Sequence, residues 1–114
     1  MNTNLIFEIR NNTIQASMRI RRHHLGGVIF DKTAAGEYRW ASDDWSPGQA
    51  GLWMRMKRKH ADLMEQTARF LGAIAPLTKE AVLKKLPDFK PGRKYIRRVE
   101  SCGESVTVIF YDIT

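Results

Sequence analysis

The stretch from Ser46 to Ile74, SPGQAGLWMRMKRKHADLMEQTARFLGAI, constrains this chain more than any other. At 100° per residue, Leu52, Trp53, Met56, His60, Leu63, Met64, Thr67, Phe70, Leu71 and Ile74 fall in one sector. That wide apolar stripe predicts an amphipathic helix over 46–74. Ser46 stands where a side-chain oxygen caps free first-turn N–H groups, Pro47 suits the first helical position, and Gln49 completes a capping-box spacing. Asp43 and Asp44 lie just upstream, where the helix dipole favours negative charge. Gly72 and Pro76 mark the far end. The stripe needs a sheet or a second helix to cover it, so the rest of the chain must supply one.

Arg55, Arg58, Asp62 and Arg69 fall on the opposite side of the same helix, a charged face in which Arg58 and Asp62 have pairing distance at four residues. His60 lies in mid-stripe and reads as a buried histidine satisfied by one hydrogen bond.

Upstream of the helix the period changes from 3.6 to two. Ile14, Ala16, Met18 and Ile20 alternate with Gln15, Ser17, Arg19 and Arg21, the signature of a half-buried strand. Leu5–Arg10 is a second strand, and Asn11-Asn12 suits a tight turn between the two. His23 to Gly27 reads as a break, followed by a hairpin of Val28–Asp31 and Glu37–Ala41. Downstream, Thr78 caps a short helix over 78–86, which Pro87 stops. Lys94–Glu100 and Val106–Ile113 form a closing hairpin. The last strand is apolar on both faces, a pattern of central or covered strands.

The expected architecture is α+β: a two-layer, mostly antiparallel sheet of about six strands, with one long helix (46–74) and one short helix (78–86) packed on one face. The 114 residues suffice for a single domain, 1–114.

Charge narrows the function. The net +7 favours acidic partners, with nucleic acid foremost. The densest cluster is KKLPDFKPGRKYIRR, in which Lys84, Lys85, Lys90, Arg93, Lys94, Arg97 and Arg98 face a single acid, Asp88, and Tyr95 is placed to stack on a base. Arg19, Arg21 and Arg22 form a second cluster. Arg19 and Arg21 point from the same face of one strand about 7 Å apart, close to the spacing of phosphates along a nucleic-acid strand. These eleven residues are the candidate nucleic-acid contacts, for DNA or RNA. Trp40 and Trp45 are candidate anchors of a protein interface.

Other chemistries lack their residues. The lone Cys102 excludes an internal disulfide, and no apolar run reaches the length of a membrane span. Together with the lack of a leader pattern, this points to the cytoplasm. His23 and His24 are chain neighbours that point to opposite sides of an extended segment, a poor metal pair. No cofactor motif and no metal site are expected. Three functions follow. The first is a non-enzymatic nucleic-acid-binding accessory protein, of the kind phages and mobile elements encode. The second is an inhibitor that binds an acidic or nucleic-acid-binding surface of a larger defence or nucleic-acid-processing complex. The third is a metal-independent ribonuclease using His23 or His24 with Arg19, Arg21 and Tyr38.

Overall fold

The computed structural model describes residues 3–10, 12–91 and 96–113. Six strands form one antiparallel sheet: β1 (Thr3–Arg10), β2 (Thr13–Ile20), β3 (His23–Lys32), β4 (Tyr38–Trp45), β5 (Ile96–Cys102) and β6 (Ser105–Tyr111). The long helix α1 (Ala50–Gly72) and the short helix α2 (Lys79–Lys85), continued by a 3-10 turn at Leu86–Asp88, follow β4 in the chain. The spatial order is β4-β3-β2-β1-β6-β5, so the C-terminal hairpin adds itself to the free side of β1.

Alternation in each strand selects the buried face. Leu5, Phe7 and Ile9 of β1 stand opposite Met18, Ala16 and Ile14 of β2, and opposite Phe110, Val108 and Val106 of β6. All of these are buried, while Glu8, Arg10, Gln15 and Arg19 on the other face are exposed. Both helices cover the buried face, with α1 over β2 to β4 and α2 over β5. Trp53, Met56, Leu63, Met64, Ala68 and Leu71 of α1 complete the core. Phe70 stacks on Phe89 at 4.4 Å between ring centroids, which ties the end of α1 to the segment after α2. β6 is paired on both edges, which accounts for its apolar pattern. Its inner residues are buried, and Ile109 and Tyr111 on the outer face are half-buried.

Three expectations about element boundaries are corrected. Residues 23–27 are strand, not a break. Gly26 and Gly27 belong to β3 because the Trp53 ring lies directly over Gly26, where a Cβ would come within 2.5 Å of the indole. A bulge at the β2–β3 ladder between Met18 and Arg19 takes up the extra residue there.

The long helix begins at Ala50 rather than Ser46. The Ser46 N–H donates to Leu25 O at 3.0 Å, and its hydroxyl donates to His24 O at 2.6 Å, so Ser46 closes the β3–β4 ladder instead of capping. Pro47 and Gly48 (φ 76°) then turn the chain, and Gln49 occupies the cap position without a side-chain bond. Asp43 does not serve the helix end either. It accepts from Trp53 Nε1 at 2.9 Å and from Lys57 Nζ at 2.8 Å, and these bonds hold its carboxyl below the usual range.

The third correction concerns Arg21. β2 stops at Ile20, and Arg21-Arg22 is the two-residue turn into β3, so Arg19 and Arg21 do not share a strand face. At the other helix, Thr78 Oγ1 accepts from Ala81 N–H at 3.1 Å, the expected cap. Gly72 is required by packing, since a Cβ there would collide with the Tyr38 ring.

His60 is buried, at 6 % exposure, but its Nε2 has no hydrogen-bond partner among the described residues. This differs from the satisfied histidine expected. Burial lowers its pKa, and Lys59 adds a smaller effect in the same direction. A depressed pKa means that the unfolded chain takes up a proton first. The neutral form therefore stabilises the fold above the ordinary histidine pKa near 6.5, and that contribution is lost as pH falls below it. In urea titrations, the wild type is expected to lose stability between neutral and mildly acidic pH. His60→Leu should be more stable by about 1 kcal/mol, because it removes an unpaired buried polar atom. It should also show less of that pH dependence.

Candidate nucleic-acid interface

The arginines at the β2–β3 connection are gathered by the hairpin. Arg19 stands on the open face of β2 opposite His24, and Arg21 and Arg22 form the tip. All three arginines, with His23 and His24, are exposed, and no arginine among them makes an ion pair with a described residue. Arg21 has φ 58°, a left-handed conformation that glycine adopts freely and that costs a side-chain-bearing residue on the order of 1 kcal/mol.

The start of α1 abuts this tip through the Ser46–His24 bond. Between them is a cleft of about 320 Å³ lined by Ile20, Arg21, His23, His24, Leu25, Gln49 and Leu52. The first-turn N–H groups of Ala50, Gly51 and Leu52 meet no acceptor among the described residues, and the first turn holds no acid. A Cβ placed on Gly48 or Gly51 would meet nothing within 4 Å, so this ground is open. Arg55 follows on the exposed side of α1. The arrangement presents cations and free backbone donors toward the same region, the elements of oxyanion recognition.

The second cluster is divided by the fold. Arg97 donates from Nη1 to Leu86 O and Phe89 O, both at 3.0 Å, fastening the end of the 3-10 turn to β5. Arg98 lies on the open face and pairs with Glu100 at 2.7 Å, both partners being largely exposed. Lys84, Lys85 and Lys90 are exposed and make no ion pair among the described residues. Arg93, Lys94 and Tyr95 lie outside the described residues.

Register relates the two clusters. Arg19 faces Asn4 in β1, and Asn4 lies in one row with Tyr111 of β6 and Ile96 of β5. Arg98 is one open-face row further along, so Arg19 and Arg98 share the open face three strand spacings apart, about 14 Å. Tyr111 lies between them. Nothing in the composition singled out Tyr111; the strict alternation of β6 was the available signal, because a buried Phe110 turns Tyr111 outward. Among the described residues the open face of the sheet is balanced: Arg10, Arg19, Arg39 and Arg98 are accompanied by Glu8, Asp31, Asp44 and Glu100. Beyond that balanced face, exposed cations with no ion pair among the described residues include Arg21 and Arg22 at the β2–β3 tip and Lys84, Lys85 and Lys90 at α2 and just after it.

The remaining candidates separate. Tyr38 is at the opposite end of β3 from the histidines, facing Lys32, and burial raises its phenol pKa. The ribonuclease constellation of His23 or His24 with Tyr38 is not brought together. Among the described residues no three His, Cys, Asp or Glu side chains gather as a metal site. Arg58 and Asp62 form no ion pair within 4.0 Å. Trp40 is half-buried, edge-on to Phe30 at 5.4 Å, with Lys57 Nζ 5.9 Å above its ring. Trp45 remains 41 % exposed.

Fold and site together describe a two-layer α+β domain with a cationic hairpin tip against a helix start, and no described helix is long and apolar enough to cross a membrane. Comparison with protein-family models, curated proteins and solved structures returned no match.

Proposed function

We propose that this chain is a non-enzymatic, cytoplasmic nucleic-acid-binding accessory protein that grips phosphates at the β2–β3 tip. Arg19, Arg21 and Arg22 are the principal contacts. The N–H groups of Ala50, Gly51 and Leu52 add backbone donors, and Arg98, Lys84, Lys85 and Lys90 extend the field. One observation carries the reading: Arg21 occupies a strained, glycine-like position in an exposed turn and makes no ion pair there among the described residues. A turn selected for stability alone favours glycine, so the side chain has another use. Tyr111, half-buried on the same open face two strands from Arg19, supports contact with an unpaired base.

Fluorescence anisotropy with labelled single- and double-stranded DNA and RNA tests this. Binding is expected to weaken with salt at a slope of about −2 to −4.5 in log K against log salt, as for about three to five neutralised phosphates on single or double strands. A flat salt response, or no binding at low salt, refutes it.

A further inference from the structure

Among the described residues β4 is an edge strand, hydrogen-bonded to β3 on one side only. Two backbone bonds define which of its groups are free. Thr33 N–H donates to Glu37 O at one end of the β3–β4 hairpin, and Ser46 N–H donates to Leu25 O at the other. Bonded and non-bonded residue pairs alternate along an antiparallel ladder. Counting inward from both ends leaves the main-chain groups of Tyr38, Trp40, Asp43 and Trp45 directed to the free edge. A bulge opposite Phe30 takes up the odd residue between the two halves.

Because of that bulge, the same four residues also share one face. Tyr38 packs at Gly72, Trp40 on Phe30, Asp43 bonds Trp53, and Trp45 stands opposite Gly26 on the helix-covered side. Arg39 and Asp44, opposite Asp31 and Gly27, lie on the open face.

We infer that β4 pairs antiparallel with β4 of a second copy of this chain, joining two sheets edge to edge across a two-fold axis at Ala41-Ser42. In that register Tyr38 faces Trp45 of the second copy, Arg39 faces its Asp44, and Trp40 faces its Asp43. Free main-chain groups meet free main-chain groups, and like faces meet like faces. The strand is basic near one end and acidic near the other, so it complements itself only when reversed. Small residues stand at the axis, where two backbones must approach closely.

Two further observations fit this occupant. Trp45, one of the exposed large apolar side chains, is delivered beside Tyr38, which with Phe30 and Trp40 walls a cleft of about 810 Å³. The two-fold axis makes that contact twice. Asp44 Oδ1 accepts from Trp45 N–H at 2.8 Å within one chain. Arg39 of the second copy offers Asp44 a charge-assisted partner in exchange, which frees that N–H for the new ladder. The Arg39–Glu37 pair that must yield is weak, at 3.4 Å and exposed on both sides.

Sedimentation equilibrium across the micromolar range tests the pairing. The wild type should dimerise. Arg39→Glu and Asp44→Arg should each weaken the dimer on the order of tenfold, because each places like charges across both symmetric contacts. The double variant should recover the wild-type dimer, an outcome that damage to the monomer fold cannot mimic. A monomer at every concentration, a dimer indifferent to either reversal, or a double variant no better than the singles would overturn the inference.

Discussion

Trp53→Ala should cost the domain about 3–5 kcal/mol, the range for deleting a large buried aromatic. Trp53 is fully buried, lies over Gly26, and donates Nε1–H to Asp43, which is also bound to Lys57. Alanine leaves a cavity at the junction of α1 with β3 and β4 and removes one of the two donors to that carboxylate. A domain of this size has a total stability of about 6–15 kcal/mol, so the variant should approach the threshold of unfolding. Urea titration followed by circular dichroism measures the effect without relying on the deleted fluorophore. Gly26→Ala should be destabilising at the same junction, because its Cβ would stand 2.5 Å from the indole and 2.8 Å from Asp44 O. Trp45→Ala, at an exposed site, should change monomer stability by no more than about 0.5 kcal/mol. A mild Trp53→Ala phenotype would mean that α1 is not anchored to the sheet through this residue.

Removing Arg19, Arg21 and Arg22 together should lower nucleic-acid affinity about a hundredfold at low salt and reduce the salt slope by about 2 to 3. Folding should be unaffected, because these side chains are exposed and unpaired among the described residues. Arg21→Gly sharpens the contrast: the turn should become more stable while binding weakens, since glycine relieves the left-handed backbone and removes the cation. Arg97→Ala should do the opposite. Its two carbonyl bonds hold the 3-10 turn to β5, so stability should fall by about 1–3 kcal/mol. A triple-arginine variant that binds as tightly as the wild type would move the contact surface away from the β2–β3 tip.

Much of the architecture was readable in the residues. The apolar stripe of α1, the period of two in β2 and the cap at Thr78 are local patterns, and a few neighbouring residues suffice to set them. The boundaries that failed depended on distant partners. Ser46 carries every feature of a helix cap, yet His24 and Leu25, more than twenty residues away, take its hydroxyl and its N–H. Gly26 and Gly27 look like a break until Trp53 is placed above them. The candidate site was legible as residue types and not as an assembly. Arg97 and Arg21 are indistinguishable as charges in a list, but one is bonded to backbone carbonyls and the other stands in an open turn.

The order of charged and apolar residues determined by itself that this chain forms an antiparallel sheet with two helices on one side, because side-chain periodicity specifies which face of each element leaves water. Only the tertiary structure decided the order β4-β3-β2-β1-β6-β5, the meeting of the Arg21-Arg22 tip with the start of α1, and the open edge at β4. Those features are contacts between residues far apart in the chain, and their energies exist only once the sheet has closed its register.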